Sequence, residues 1–181
     1  MYEDLLIAGF GGQGIIFAGK LLAYAALREG KQVTYFPSYG AEMRGGTANC
    51  TVVISTSSIA SPIISSPKNL IVMSQPSFLK FFPRVKEGGR VILNSSLVKE
   101  ELKRDKVEVI EIPANDIAEG LGSSRVANMV ILGAWAKVSG AVRVDTLVQS
   151  LKDVISKDKM DLLVFNERAL REGERFVKPA H

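Results

Sequence analysis

The sequence predicts an α/β fold, a three-layer α/β/α sandwich forming one domain over residues 1–181. Three observations predict it. Short runs rich in Val, Ile and Leu alternate with segments of helical apolar spacing, the pattern of strands joined by covering helices. The first run ends in a cluster of glycines that opens a helix. The chain is 181 residues long, 46% hydrophobic and 23% charged, which is ordinary globular composition and makes one domain the default. No internal repeat, low-complexity segment or linker divides it.

Each element has its own local reason. Asp4 to Gly9 reads as a short buried strand. Ile15 to Arg28 places Ile15, Ala18, Leu22 and Ala25–Ala26 on one helical face, and Gly30 follows as a stop signal. Gln32 to Phe36 is rich in β-formers, so the first 36 residues read as a βαβ unit with a right-handed crossover. Pro37 to Gly46 breaks the pattern and is expected to be a loop. Thr47 to Ser55 is a strand centred on Val52, Val53 and Ile54. Ser55 to Pro67 holds six serines and reads as a long connection. Strands follow at Asn69 to Ser74, Arg90 to Asn94 and Lys106 to Ile112. Short helices are expected over Gln75 to Phe82 and Pro113 to Glu119. Val126 to Ser139 is a strongly apolar, buried helix. Val144 to Ser156 and Asp161 to Glu172 are two more amphipathic ones.

Composition removes several classes of function. Cys50 is the only cysteine and the terminal His181 the only histidine, so the chain alone builds no disulfide, zinc site, four-cysteine iron–sulfur site or histidine triad. Any redox or metal centre must sit on another chain, and Cys50 reads as a small buried hydrophobe. The formal charge is +4 with signs mixed and no dense basic block, which speaks against a nucleic-acid partner but allows attraction for phosphates. The longest apolar runs fall far short of the roughly 20 residues that span a bilayer. The start lacks the order of a secretory signal, so a cytoplasmic location and no membrane are expected.

Three features carry chemistry. Gly9-Phe10-Gly11-Gly12-Gln13-Gly14 lies at a strand-to-helix turn. Glycines there let the backbone approach a ligand, and free amides at the helix start favour phosphate or carboxylate. The same glycines also suit close helix–sheet packing. Formally the turn satisfies the dinucleotide pattern G-x-G-x-x-G, but Tyr35-Phe36-Pro37 stands where an acid would hold the ribose. The second feature is Ser38-Tyr39-Gly40-Ala41-Glu42-Met43-Arg44-Gly45-Gly46, expected on the same sheet edge. Arg44 could grip a phosphate or carboxylate, and Glu42 is a possible acid–base group. Equally, Glu42 could neutralise Arg44 and Tyr39 could simply pack. The third is Ser123-Ser124-Arg125-Val126-Ala127-Asn128-Met129. There Ser123 or Ser124 could cap a helix, or Arg125 and Asn128 could face a partner; Asn166-Ala169-Gly173 is a weaker feature of that kind.

Together the glycine turn, the Ser38–Gly46 loop, Thr47-Ala48-Asn49-Cys50 and Arg125 to Met129 resemble the gamma subunit of 2-oxoacid:ferredoxin oxidoreductases. The resemblance covers nearly the whole chain. Thr47-Ala48-Asn49-Cys50 is most similar to the 2-oxoglutarate type, with the pyruvate and 2-ketoisovalerate types open. It implies an enzyme complex that oxidatively decarboxylates a 2-oxo acid with coenzyme A, giving acyl-CoA and CO2 and reducing ferredoxin. It implies alpha and beta partner subunits, and in some members a ferredoxin-like delta subunit. Thiamine diphosphate, Mg2+ and iron–sulfur clusters would be held by those partners and none by this chain. The chain would be inactive alone, and the stripped subunit could pair into a homodimer. It also implies a place near coenzyme A, for which Gly11, Gly12, Gln13, Gly14, Ser38, Tyr39, Glu42, Arg44, Gly45 and Gly46 are the candidate residues. One departure is Pro67-Lys68-Asn69, where the family often has Pro-Asp. The competing readings are a freestanding NADP- or flavin-binding oxidoreductase and a nucleotide-binding interaction module.

Overall fold

The computed structural model describes residues 1–40, 46–99 and 105–177. Six strands form one sheet: β1 (Tyr2–Phe10), β2 (Gln32–Tyr39), β3 (Thr47–Ser55), β4 (Asn69–Val72), β5 (Arg90–Asn94) and β6 (Glu108–Ile112). Six helices accompany them: α1 (Ile15–Arg28), α2 (Gln75–Phe81), α3 (Ala114–Gly120), α4 (Ala127–Ser139), α5 (Val144–Val154) and α6 (Leu163–Phe176). A 3-10 segment, Lys157–Leu162, joins α5 to α6.

The sheet order is β2-β3-β1-β4-β5-β6. β1 runs parallel to β4, β4 to β5 and β5 to β6, whereas β3 is antiparallel to both β1 and β2. The expected βαβ unit is therefore corrected. β1 and β2 point the same way with α1 between them in sequence, but β3 sits between them in the sheet. The third strand folded back as a hairpin partner of β2 and took the place beside β1. Pro37 does not end β2 either. It pairs opposite Cys50, with β2 continuing to Tyr39. β2 is an edge strand, where a residue without an N–H is tolerated.

Alternate residues of β1 feed two cores. Leu5 and Ile7 join α1, α4 and α5 in the larger one, while Leu6 and Ala8 meet Phe78 and Phe81 of α2. The three-layer α/β/α architecture holds, with the helices shared unequally between faces. α4 is buried along one whole stretch, Ala127 to Ala136, because it lies between the sheet and α6. A helix in that position is apolar on every side. Gly133 and Gly173 allow the crossing: a Cβ on Gly133 would collide with the Leu170 carbonyl, and one on Gly173 with that of Val130. The sequence feature Asn166-Ala169-Gly173 is thus a packing stripe against α4, with Asn166 at its cavity end. Neither Ser123 nor Ser124 caps the start of α4, contrary to that expectation; no side-chain cap is formed there.

The Lys68-Asn69 departure lies at the opposite end of β4 from the glycine turn. Lys68 N–H donates to Asp4 Oδ1 at 2.6 Å and Lys68 Nζ to Glu3 Oε1 at 2.6 Å, while Asn69 Nδ2 bonds Glu3. These residues close the bottom of the sheet and do not face the candidate site. No described helix is long and apolar enough to cross a membrane.

Candidate functional site

The carboxyl ends of β1, β2, β4, β5 and β6 share one edge of the sheet. β1 leads to α1 on one face and β4 to α2 on the other, so the ends of β1 and β4 flank a topological switch point, where open α/β sheets bind ligands. The glycine turn lies there.

Local geometry explains each glycine separately. Gly12 has φ +94° and Gly14 φ +72°, in the left-handed region. Gly9 needs its missing side chain for another reason. A Cβ would come within 2.5 Å of Gln13 Oε1, 2.8 Å of Ile15 and 2.9 Å of Met73. Among the described residues, only the Gly46 carbonyl, at 3.8 Å, comes near an added Cβ on Gly11.

Gln13 is a brace. Phe10 N–H donates to its Oε1 at 2.7 Å, and its Nε2 donates to the Met73 carbonyl at 3.0 Å, tying β1 to the end of β4 across the switch point. Asn128 is the second brace. It is 5% exposed, and its Nδ2 donates to the Gly14 carbonyl at 3.0 Å, so the start of α4 holds the start of α1. A side chain on Gly14 would strike that amide. Asn128 neither caps α4 nor faces outward. It positions the turn.

The expected second feature reaches the same edge. Gly11 N–H donates to the Gly46 carbonyl at 3.0 Å, and Gly40 N–H to the Thr47 carbonyl at 2.8 Å. Ser38 and Tyr39 lie in the last turn-ward residues of β2 and not in a loop, with Tyr39 71% exposed. Glu42, Arg44 and Gly45 lie outside the described residues.

Two cavities flank the turn. One, of about 230 Å3, lies between Gly12, Gly14, Phe17 and the α5–α6 connection. The other, of about 200 Å3, lies between Gln13, Met73, Asn115 and the start of α4. Gly12, Arg125 and Asn128 border both. Among the described residues neither is lined by an Asp or Glu, and the lining cations are Arg125 and Lys159. Gly14 provides no side-chain cap for α1, and among the described residues the amides of Ile15, Ile16 and Phe17 have no recorded partner. Exposed amides at a helix start with cations nearby suit an anion. Lys159 and Asn115 were not legible as cavity residues, because one stands on the α5–α6 connection and the other on α3 and only the fold brings them to this edge, while Asn166 was legible only as part of the Asn166-Ala169-Gly173 feature.

The single thiol lies under this edge and has no part in it. Burial pushes Cys50 up to about 12, its Sγ meets the Ile15 carbonyl at 3.5 Å, and it fills the space left by Gly19. It is the buried hydrophobe the sequence implied. Burial likewise raises Tyr35 to about 12, with its hydroxyl donating to the Ile16 carbonyl at 3.0 Å. Because β3 separates β2 from β1, the end of β2 is not the ribose-binding neighbour of the turn that a dinucleotide fold requires. The NADP or flavin reading loses its geometric basis with its missing acid.

Fold and site define a class first: an α/β chain with a mixed sheet and an acid-free glycine turn at its switch point. The chain belongs to the pyruvate ferredoxin/flavodoxin oxidoreductase family, whose model matches residues 4–176. It is 35% identical over 184 residues to 2-oxoglutarate synthase subunit KorC of Methanothermobacter thermautotrophicus, covering 96% of this chain and 97% of that one. It is 38% identical over 177 residues to ketoisovalerate oxidoreductase subunit VorA of Methanothermobacter marburgensis, covering 95% of this chain but 36% of that protein. The chain thus spans about a third of VorA's length. Among solved structures it resembles 2-oxoglutarate:ferredoxin oxidoreductase from Magnetococcus marinus, determined with 2-oxoglutarate, coenzyme A and succinyl-CoA bound. There the TM-score is 0.87 and the identity 26%, over 99% of this chain and 32% of that one.

Proposed function

We propose that this chain is the gamma component of a 2-oxoacid:ferredoxin oxidoreductase, with 2-oxoglutarate as the first substrate to test. The observation that carries the reading is the end-to-end match to KorC, 97% of that subunit against 96% of this chain. In this reading the complex joins a 2-oxo acid to coenzyme A, releases CO2, and passes the electrons to ferredoxin.

The chain's own donors argue for a division of labour. Among the described residues no group of three or more His, Cys, Asp or Glu gathers to hold a metal. The described linings of the two cavities offer cations and amides, which fit an anion. One cysteine does not ligate an iron–sulfur cluster. Thiamine diphosphate with Mg2+, and the clusters, are assigned to alpha, beta and delta-type partners, and the complex to the cytoplasm. What this chain contributes is the border of the coenzyme A path. The Gly11–Gly14 turn, steadied by Gln13 and Asn128, offers amides to phosphates, and Ser38, Tyr39 and Gly46 form the adjoining rim. Arg44 supplies a further cation and Glu42 a candidate proton acceptor from the β2–β3 connection.

The test is reconstitution. Alpha and beta partners are assayed with and without the chain for coenzyme A-dependent reduction of a low-potential acceptor, with 2-oxoglutarate, pyruvate and 2-ketoisovalerate in turn. Activity that requires the chain, with 2-oxoglutarate best, supports the reading. Full activity without it, or turnover of NADPH by the chain alone, overturns it.

A further inference from the structure

The β2 flank of the molecule carries surface that neither the two cores nor the glycine turn uses. We propose that this flank, the outer face of α1 together with the edge strand β2, is the seat of the partner chain that bears the catalytic centre. Taking that chain as the occupant rests on the function proposed above; the flank as a docking surface does not.

The two edges of the sheet differ. The β6 edge is covered by charge, with Arg90 bonded to Glu108 at 2.7 Å and Lys106 to Glu87 at 3.0 Å, a common protection of an exposed strand. No residue of β2 is charged. Of the two cations of α1, Arg28 turns to Asp153 on α5, and Lys20 lies over the Tyr24 ring, 5.8 Å from its centre. Large apolar side chains stand exposed there instead: Tyr24 at 42%, Leu27 at 57% and Phe36 at 51%, with Tyr39 at the end of the strand. Lys20, Tyr24 and Leu27 follow Ile16 along one face of α1, and the Tyr35 hydroxyl donates to the Ile16 carbonyl, which joins that face to β2. Phe36 is in register with Thr51 and Leu6 and so lies on the sheet face away from α1. The helix of that face, α2, packs on β1 and β4 and leaves Phe36 open. Aromatic and aliphatic side chains with few charges among them are the composition of an interface core.

Pro37 decides the mode of docking. The Gly40 N–H points inward to the Thr47 carbonyl, and an antiparallel ladder alternates, so the backbone nitrogen of Pro37 faces outward. A prolyl nitrogen donates no hydrogen bond, so this edge resists an added strand and the partner seats on side chains. Two observations name the occupant. β2 leads through Tyr39 to Gly40, which bonds Thr47 beside the Gly46 carbonyl that accepts from Gly11, so a chain seated on the flank reaches the edge of the glycine turn. The chain also matches KorC end to end but only about a third of VorA. What VorA joins to this domain by a peptide bond, a separate subunit holds through a surface.

Calorimetric titration of the full chain into its alpha and beta partners tests this. The proteins are wild type, Leu27→Asp/Phe36→Asp, the uncharged Leu27→Ser/Phe36→Ser, and Val164→Asp, which changes an exposed apolar residue of α6 away from the flank. All the substituted side chains are more than half exposed, so each variant should stay folded, as a thermal melt checks. The Asp pair should weaken assembly by about a hundredfold and the Ser pair by about tenfold, with Val164→Asp unchanged. Assembly that is indifferent to both pairs overturns the proposal and leaves the proposed function standing. An equal loss in Val164→Asp overturns it as well, because the effect is then not confined to the flank. A wild-type chain that pairs with itself, a monomeric Asp pair and intact partner binding give the flank to a second copy and overturn the proposal. A wild-type chain that binds neither partner overturns the proposed function along with it.

Discussion

Gly14 cannot carry a side chain for two independent reasons: its φ of +72° and the Asn128 amide pressed against it. Gly12 has only the first reason, since a Cβ there meets nothing among the described residues. Gly12→Ala should therefore cost about 1 kcal/mol, from backbone strain alone, whereas Gly14→Ala should cost about 2–4 kcal/mol in urea denaturation. Asn128→Ala removes one of the two donors of the Gly14 carbonyl, leaving the Ala18 N–H at 2.9 Å, and should cost about 1 kcal/mol. The glycines were legible as a ligand-approach turn, but their separate duties were not. Crowding is a matter of what packs across from the turn, and at Gly9 that is Met73, sixty-odd residues away in sequence. Cys50 was fully legible, as a lone apolar-context thiol. With burial holding it near 12, iodoacetamide at pH 8 should leave native protein unlabelled and react only after unfolding.

Among the elements, α4 and α6 cross so closely that Gly173 meets the Val130 backbone. Gly173→Val should separate the two helices and lower stability by at least about 3 kcal/mol, read as a lost cooperative melt. The end of α1 is held differently. Burial pushes Glu29 up, but the Lys31 ammonium at 2.5 Å and the Arg143 N–H at 2.9 Å outweigh it and bring the carboxyl down to about 2 from an ordinary 4.5. A group bound below its unfolded value stabilises the fold above that value. Its share, on the order of 2–3 kcal/mol, should be intact above about pH 4.5 and vanish as pH falls toward 2. Glu29→Gln should flatten the stability profile over that window; an unchanged acid limb would contradict the assignment. Periodicity made nearly every element legible, including the apolar α4. What it missed was placement. A βαβ crossover and a strand pair with a third strand inserted have the same local pattern, and the direction of β3 is decided by its pairing with β2. Pro37 read as a break because its position on an edge strand depends on that same long-range pairing.

At the scale of the molecule, the mixed sheet gathers the glycine turn, the end of β2, the start of β3 and the start of α4 at one edge, and no described carboxylate lines its cavities. The resemblance in the sequence reached the family that the comparisons establish. The residues it nominated, Gly11 to Gly14 with Ser38, Tyr39 and Gly46, do share that edge. It did not reach Lys159 and Asn166, which lie on the connection and helix that close over the turn. In the proposed reading this edge serves a partner's chemistry, with coenzyme A, not the 2-oxo acid, beside this chain. Gly11 offers the most direct test, because it is exposed and among the described residues an added Cβ there meets only the Gly46 carbonyl at 3.8 Å. In the reconstituted complex, Gly11→Val should leave the melting temperature and the KM for 2-oxoglutarate unchanged. It should raise the KM for coenzyme A about tenfold or more by blocking approach to the turn. An unchanged KM for coenzyme A, or an equal rise for both substrates, would contradict the account.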